Sequence, residues 1–396
     1  MMQISPETQL FIREHSSDDV RVLALQAKKY PDIDMPTAIT QIAGRKVAAE
    51  KIPSWWEIEK IWYPKHLSLE QCSSEITARY KARLLQGDSL TDLTGGFGID
   101  CSFLATGFKS ATYVERQEEL CEIAAHNFPV LNLNHINIKN EDGVTYLQVM
   151  SPVDCLFLDP ARRNEHGGKT VAISDCEPNV AELEELLLQK ANRVMIKLSP
   201  MLDLSLALKE LKQTQEVHIL SVNNECKELL ILLGQTSPAE ISIHCVNLFT
   251  KGTQKEQHFV FTREQEQCSE CTYTDSLETY LYEPNASLLK AGAFRSIAAA
   301  YPVRKLHPNS HLYTSDTFIE NFPGRIFRIV NQCSFNKKEV KENLADLKKA
   351  NVTVRNFPAT VAELRKRLHL TEGGDTYLFA STLNNGQKVI IRCEKV

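Results

Sequence analysis

The sequence predicts an α/β protein whose central element is a mostly parallel β-sheet with helices on both faces. Three observations support this fold class. Short β-branched runs alternate with helical stretches after Gly87, which is the pattern of a doubly wound sheet. A glycine-rich turn follows the first of these runs, and acidic residues stand at the ends of the next three. The residues before and after this segment follow other patterns, so we expect further domains on both sides.

The segment before the sheet, residues 1–86, is predicted to be a helical domain. Apolar residues recur at three- and four-residue spacing from Thr8 to about Leu85, as they do in amphipathic helices. Prolines at positions 31, 36, 53 and 64 separate these periodic stretches, because proline is tolerated at the start of a helix and not inside one.

The predicted sheet domain covers residues 87–236. Helices are expected between its strands, after Gly98 and at residues 117–127, 178–190 and 202–213. The last two strands, at 217–222 and 228–233, are separated by a link too short for a crossover. They are therefore expected to pair antiparallel, since parallel neighbours need a long connection.

The remaining residues are predicted to form smaller domains. Residues 237–324 begin with two apolar strands, and residues 325–396 show a β-α-β-α-β-β pattern whose Asn385-Gly386 pair suits a hairpin turn. From Arg325 to the last residue the sequence has 14 lysines and arginines against 7 acidic residues, although the whole chain has a net charge of −5. A basic segment in an acidic chain favours a polyanionic partner such as nucleic acid.

Length and composition are those of a multidomain globular protein. The chain has 396 residues, of which 43% are hydrophobic and 24% charged. It contains neither an apolar run of about 18 residues nor a secretory leader pattern, so no membrane span or export signal is predicted. The eleven cysteines lie mostly in apolar runs, which is typical of reduced, buried thiols. These features predict a cytoplasmic protein.

The turn "LTDLTGGFGID" predicts a cofactor site after the first strand. Gly95, Gly96 and Gly98 allow a tight turn and a close approach of the backbone to a ligand. A dinucleotide fingerprint would require glycine or alanine at position 101, where this chain has Cys101. The turn therefore disfavours NAD.

Acids at the ends of the next two strands indicate a nucleoside. Glu115 ends the second strand, where a carboxylate accepts hydrogen bonds from ribose hydroxyls. Glu141 and Asp142 end the third strand, on the side expected for an adenine amino group. The three strand ends together favour an adenosine-containing cofactor.

These motifs resemble the class I S-adenosylmethionine-dependent methyltransferases, which have a Rossmann-like sheet with an antiparallel last strand. The stretches "QCSSEITARYKA", "DPARR", "YLYEPNASLLKAG" and "LYTSD" resemble, more closely, the THUMP-like methyltransferases of Bacteroidetes. The resemblance implies a helical N-terminal region, a methyltransferase domain, a ferredoxin-like segment within 237–324 and a THUMP-like domain at 325–396. It also implies S-adenosylmethionine as cofactor, with contacts from Asp92, Thr94, Gly95, Gly96, Gly98, Asp100, Glu115, Arg116, Asp142, Gly143 and Asp159.

The acid of "DPARR" is the predicted catalytic residue. Asp159 and the Pro160 carbonyl could hold the N–H groups of an acceptor amine and direct its lone pair toward the methyl group. Methyltransferases that act on base amines carry a second proline and an aromatic residue after the acid, whereas this chain has Ala161 and Arg162. Arg162 and Arg163 could stack on a base or bind a phosphate, or they could form surface ion pairs.

Other candidate residues have two readings each. Lys197 and Ser199 follow the fifth strand and are predicted to contact the substrate, although Pro200 beside them could simply open the next helix. Ser73, Ser74, Glu75 and Arg79 could reach the cofactor or lie on a solvated helix face. "CSEC" at 268–271 and "HPNSH" at 307–311 lack the spacing of a zinc site, and no metal is expected.

The leading hypothesis is a methyltransferase that acts on a base of structured RNA, tRNA or rRNA, with the C-terminal domain binding the RNA backbone. One alternative is a non-catalytic RNA-binding protein that retains the methyltransferase fold. Another is a methyltransferase that acts on a small molecule.

Overall fold

The computed structural model describes residues 4–162, 172–236 and 238–396. The chain forms two compact units. The first comprises Met1–Gln215 with Leu229–Pro238, and the second comprises Glu216–Glu228 with Ala239–Val396.

The first unit begins with helices, as the periodicity predicts. Ser5 and Asp34 cap two of them, because their side chains accept hydrogen bonds from the amides of Thr8 and Thr37. The helices pack partly on one another and partly on the following sheet segment, since residues from Ala48 to Ile123 share one apolar core. They are α1 (Pro6–Glu14), α2 (Val20–Leu25), α3 (Met35–Lys51), α4 (Pro53–Trp56), α5 (His66–Gln71) and α6 (Glu75–Ala82), with a short 3-10 helix at Ala27–Lys29.

Strands and helices then alternate, which confirms the predicted fold class. The helix at Gly143–Val149 was not expected from the sequence, but two parallel strands in one sheet require a crossover connection. The elements are β1 (Ser89–Asp92), α7 (Ile99–Ala105), β2 (Ser110–Val114), α8 (Glu118–Val130), β3 (Ile136–Lys139), α9 (Gly143–Val149), β4 (Val153–Leu158), β5 (Ala161–Arg162), β6 (Cys176–Glu177), α10 (Val180–Lys190), β7 (Ala191–Leu198), α11 (Leu204–Glu210), β8 (Thr214–Val222) and β9 (Glu225–Gly234).

The pairing of the strands brings the predicted site residues to one edge. Strands β3, β2, β1, β4 and β7 are parallel neighbours in that order. The residues of β9 from Leu229 to Gly234 pair antiparallel with β7, as expected for the last strand of this sheet. The carboxyl ends of the parallel strands therefore lie side by side, and ligands of open α/β sheets bind at that edge.

The second unit contains two groups of strands. β10 (Ser242–Leu248) pairs parallel with β8 and antiparallel with β11 (Glu256–Thr262). The remaining elements are α12 (Arg263–Cys268), β12 (Tyr280–Pro284), α13 (Ala286–Ala291), α14 (Ser296–Ala300), β13 (Arg304–Lys305), β14 (Tyr313–Ser315), β15 (Gly324–Ser334), α15 (Lys337–Leu344), β16 (Asn351–Val354), α16 (Val361–Leu368), β17 (Thr376–Thr382) and β18 (Lys388–Lys395). The seven strands among them form one sheet with the order β13-β14-β12-β15-β18-β17-β16.

Alternating side chains give the seven-stranded sheet two apolar faces. Phe379 and Ile391 point to one core, whereas Leu378 and Ile390 point to the other, as the two-residue period of a strand requires. Leu344 of α15 and Leu368 of α16 both pack in the second core. These two helices therefore cover the same face of the sheet, and the β-α-β-α-β-β pattern is confirmed.

The predicted hairpin lies between β17 and β18. The Leu383 amide donates to the Gln387 carbonyl, and Gly386 has a φ of +85°, which favours glycine. All eleven cysteines lie in the described residues and none is in a disulfide. Within the described ranges every helix is too short or too polar to cross a bilayer.

Candidate active site

The glycine turn connects β1 to α7 at the carboxyl edge of the sheet. The Gly95 amide donates to the Val114 carbonyl of β2, and the Gly98 amide donates back to Gly95. Gly96 and Gly98 have φ values of +53° and +86°, and a Cβ on Gly95 would lie 2.3 Å from the Tyr113 ring. Gly95 is needed because the turn lies directly on Tyr113 of β2, and positions 96 and 98 favour glycine because of their left-handed backbone.

Glu115, the predicted ribose acid, lies against this turn. Its Oε2 accepts a hydrogen bond from the Gly96 amide at 2.9 Å, and its Oε1 accepts one from the Gln117 amide at 2.8 Å. The residue is 8% exposed. Each carboxylate oxygen has a second lone pair, so Glu115 can still accept hydrogen bonds from a ligand.

Asp142 caps the helix that follows β3. Its Oδ1 accepts hydrogen bonds from the amides of Val144 and Thr145 at 3.1 and 2.9 Å. Beside it, a Cβ on Gly143 would lie 2.1 Å from the Leu93 carbonyl, so this close approach requires glycine.

Arg116, another predicted cofactor contact, is exposed and lies 3.5 Å from Glu177.

Asp92 ends β1 with its side chain almost completely buried. Its Oδ1 accepts a hydrogen bond from the Thr94 amide at 3.0 Å. Its Oδ2 has no hydrogen-bond partner among the described residues. Burial, above all, raises the pKa of this carboxyl to about 8, because an isolated buried carboxylate is costly.

Thr94 joins the glycine turn to the predicted catalytic acid. The Asp159 amide donates to Thr94 Oγ1 at 2.6 Å, and the same hydroxyl lies 3.5 Å from Asp92 Oδ1. This contact ties the end of β4 to the turn after β1. Asp159 is partly exposed, and Pro160 after it is buried.

Asp159 belongs to a group of four charged side chains. We call this group the ion cluster: Lys81, Asp100, Asp159 and Lys197. Lys197 Nζ lies 2.5 Å from Asp159 Oδ2 and 3.1 Å from Asp100 Oδ2. Lys81 Nζ lies 2.9 Å from Asp100 Oδ1. Ser73 Oγ donates to Asp100 Oδ2 at 2.7 Å and accepts hydrogen bonds from both lysines.

The charges of the ion cluster balance within a region of low exposure. Lys81 is fully buried and Lys197 is 7% exposed. Burial by itself would raise the pKa of Asp100, but the Lys197 and Lys81 ammonium groups hold it well below its usual range. Burial raises the pKa of Asp159, and Lys197 opposes that rise. Buried charges are stable in this way only when each has a partner.

The sequence did not point to Lys81 as a site residue. It lies in α6, which carries Thr77 and Ala78 on the same buried face. The available signal was this spacing, since residues three and four positions apart share a face of a helix. A lysine on an otherwise buried face needs a buried acid, and Asp100 supplies it.

The other predicted residues are distributed around this site. Ser199 follows β7, and its Oγ accepts a hydrogen bond from the Met201 amide at 3.3 Å. Glu75 and Arg79 pair with each other at 2.7 Å, and Ser74 Oγ lies 3.2 Å from Thr77 Oγ1. The backbone of Arg162 belongs to β5, which pairs with β6. The Arg162 side chain and all of Arg163 lie outside the described residues.

Comparison with known proteins gives two domain matches. Residues 280–323 match a family model described as a ferredoxin-like domain, and residues 324–395 match one described as THUMP domain-like. No curated protein matches the chain.

A solved structure matches this chain over its full length. A protein from Porphyromonas gingivalis W83, described as a "putative methyltransferase", is 33% identical, with 100% of both chains covered and a TM-score of 0.87. An rRNA methylase from Streptococcus thermophilus is 15% identical over 40% of this chain and 93% of its own, with a TM-score of 0.29. A protein from Streptococcus mutans, also described as a "putative methyltransferase" and solved in complex with SAH, is 14% identical over 40% of this chain and 96% of its own. Its TM-score is 0.30.

Proposed function

Because this chain belongs to the bacterial THUMP-like methyltransferase family, we propose that it transfers the methyl group of S-adenosylmethionine to a base of structured RNA, tRNA or rRNA. The observation that carries this proposal is the hydrogen bond from the Asp159 amide to Thr94 Oγ1. This hydrogen bond links Asp159, which is proposed to face the acceptor, to the glycine turn, which is proposed to bind the cofactor. Methyl transfer needs these two parts side by side, because the acceptor must be aligned with the methyl donor.

The residues at the turn fit this cofactor. Asp92 Oδ2 is buried with no partner in the described chain, and the cationic amino group of the cofactor would complete its hydrogen bonding. Glu115 would accept from the ribose hydroxyls, and Asp142 from the adenine amino group. When bound, S-adenosylmethionine supplies an electrophilic methyl group on a sulfonium sulfur. The proposed contacts are Asp92, Thr94, Gly95, Gly96, Gly98, Asp100, Glu115, Arg116, Asp142, Gly143 and Asp159.

On the acceptor side, Asp159 and the Pro160 carbonyl are proposed to hold the N–H groups of an exocyclic amine. Lys197 contacts Asp159 at 2.5 Å, so we propose that it fixes the carboxylate in one orientation in addition to any contact with the substrate. Ser199, which follows the neighbouring strand, is proposed to bind the substrate. Arg162 and Arg163 are proposed to stack on the base or bind its phosphate in place of the missing aromatic residue.

Exposed positive charges on the C-terminal domain support RNA as the substrate. Helices α15 and α16 cover the same face of their sheet, and their outward side chains are rich in lysine. Such side chains bind phosphates without reading the base sequence. We call these side chains, together with Lys348 and Lys349 of the segment after α15, the basic surface: Lys337, Lys338, Lys341, Lys348, Lys349, Lys366 and Arg367, all exposed. Action on cellular RNA would place the enzyme in the cytoplasm.

The proposal is tested with purified protein, radiolabelled cofactor and RNA from cells that lack this gene. We expect the protein to label RNA, and mass spectrometry of the nucleosides to identify one methylated base. Asp159→Ala should lower turnover by at least about 100-fold, as for loss of one catalytic hydrogen-bonding group, while affinity for S-adenosylhomocysteine stays within a few-fold. Glu115→Ala serves as the matched variant and should weaken cofactor affinity first.

The outcomes separate the alternatives. If the radiolabel enters a small molecule or a protein and never RNA, the proposed RNA substrate is wrong. If calorimetry shows no binding of S-adenosylhomocysteine, the proposed methyltransferase activity is wrong, and a non-catalytic RNA-binding protein is favoured. Full turnover by Asp159→Ala shows that the acceptor site lies elsewhere.

A further inference from the structure

A second group of potential ligand atoms lies on the strands of the second unit. Glu216 and His218 are two residues apart on β8, so their side chains lie on the same face. His244 of β10 is the direct parallel partner of His218. His258 lies on the next strand, β11. Three adjacent strands thus present one carboxylate and three imidazoles close together.

The distances between these side chains are short. His218 Nε2 lies 3.2 Å from Glu216 Oε2. One potential ligand atom from each of Glu216, His218 and His244 lies within 4.8 Å of the other two. The His218 and His244 rings stack with their centroids 4.3 Å apart. His244 Nδ1 lies 3.1 Å from His258 Nε2.

We propose that Glu216, His218 and His244 form a binding site for a divalent transition metal of the zinc class. Two imidazole nitrogens and a carboxylate oxygen form a ligand set that zinc accepts, with a fourth position open to water. Residues i and i+2 of one strand and the facing residue of its neighbour bring three side chains to one point above a sheet. Binding requires the stacked rings to turn about χ2, a torsion with a broad energy well.

The surroundings of these side chains leave a route for the ion. The His218 side chain is 3% exposed, whereas Glu216 is 32% exposed and His258 lies at the surface. The ion would enter from the Glu216 and His258 side.

His258 is proposed as a positioning residue. Its Nε2 is within hydrogen-bond distance of His244 Nδ1, which would leave the other nitrogen of His244 for the metal. A partner of this kind fixes the tautomer and the orientation of a ligating imidazole. Its loss should weaken metal binding without abolishing it.

The test uses the full chain with Cys268→Ser and Cys271→Ser, because these two thiols are exposed and half-exposed and could bind zinc themselves. Equilibrium dialysis with zinc should show one equivalent bound, and cobalt should give the visible absorption bands of a four-coordinate site. Glu216→Gln and His244→Gln should each lower zinc affinity by more than about 100-fold. His258→Gln should lower it by about 10- to 100-fold.

His126→Gln is the matched control, since this imidazole stacks on Trp62 with centroids 3.8 Å apart and lies in the first unit. It should leave zinc affinity unchanged, and thermal melts of the metal-free variants should confirm that each is folded. Zinc binding that is absent, or equally tight in Glu216→Gln and His244→Gln, overturns the proposal. The Glu216 variant keeps the test valid if the His244 variant does not fold.

Discussion

The ion cluster of the first unit and the basic surface of the second use the same residue types in opposite environments. Lys81 and Lys197 are buried and contact carboxylates at 2.5 to 3.1 Å. Lys337 and Lys338 are exposed at the start of a helix. A buried charge depends on its partner, because an unpaired charge loses its hydration without compensation. A surface charge keeps its water and can exchange one partner for another.

This difference predicts how mutations will behave in each region. Members of the ion cluster should act as a unit, so that the loss of one charge affects the others through shared contacts. Residues of the basic surface should contribute separately, and salt should screen their effect. Charges of the ion cluster are therefore expected to maintain the structure, whereas charges of the basic surface are expected to attract a partner.

The largest effect is expected for Asp100→Asn. This change leaves Lys81 and Lys197 with one carboxylate, Asp159, which is partly exposed. We expect the free energy of unfolding to fall by about 3–5 kcal/mol, the cost of breaking a buried ion pair. Urea denaturation followed by circular dichroism measures this.

The matched control is Asp88→Asn, whose carboxylate pairs with Lys109 while both side chains are more than two-thirds exposed. It should cost less than about 1 kcal/mol. Similar changes in unfolding free energy for the two variants would show that burial does not separate these ion pairs.

A smaller effect is expected from the pH dependence of Asp92. Its pKa is about 8 in the folded protein, against an ordinary value of 3.8, so the folded state binds more protons than the unfolded state between these values. The stabilisation is complete below about pH 4 and is lost as the pH rises toward 8. In Asp92→Asn this dependence should disappear, and the slope of unfolding free energy against pH should change by up to about 1.4 kcal/mol per pH unit.

Denaturation at pH 5, 6 and 7 measures this slope, and Asp88→Asn should retain the slope of the unmodified protein. An identical slope in Asp92→Asn would show that the Asp92 carboxyl is ionised in the folded protein at neutral pH.

The smallest effect is expected at the basic surface. Lys337→Gln with Lys338→Gln should weaken binding to a structured RNA and reduce the slope of log affinity against log salt by about 1 for each RNA phosphate that the variant no longer neutralises. Stability should change little, because Asn336 and Glu339 still cap α15. Filter binding over a range of salt concentrations measures both the affinity and the slope.

Lys28→Gln with Lys29→Gln makes the same charge change at exposed positions of the first unit and should leave the RNA salt slope unchanged. If the two double variants are indistinguishable, RNA binding depends on net charge and not on the basic surface.

Much of the fold could be predicted from the sequence because its signals are local. The glycine turn, the β-branched runs and the Asn385-Gly386 hairpin each depend on a few adjacent residues, and the structure has the expected elements. Helix α9 was not predicted because "GVTYLQV" is short and β-branched, so its periodicity is weak. The crossover requirement between parallel strands, not the local sequence, identifies it.

The candidate site was less predictable because its contacts join distant segments. Asp100 and Asp159 stood out as acids near strand ends. Their partner Lys81 belongs to a helix that precedes the sheet, and no local pattern links the two. The stacked histidines on β8 and β10 are likewise 26 residues apart in the sequence, and only the strand register brings His218 to His244.

The hydroxyl of Thr94 has a thermodynamic consequence for the two halves of the candidate site. It accepts a hydrogen bond from the Asp159 amide and lies 3.5 Å from Oδ1 of the Asp92 carboxyl, so a ligand that reorients one of these groups changes the hydrogen bonding of the other. Coupling of this kind is reciprocal: if the first ligand raises the affinity of the second by some factor, the second raises the affinity of the first by the same factor. A methyl donor bound at the turn and an acceptor bound at Asp159, as proposed, would therefore change each other's affinity by the same factor.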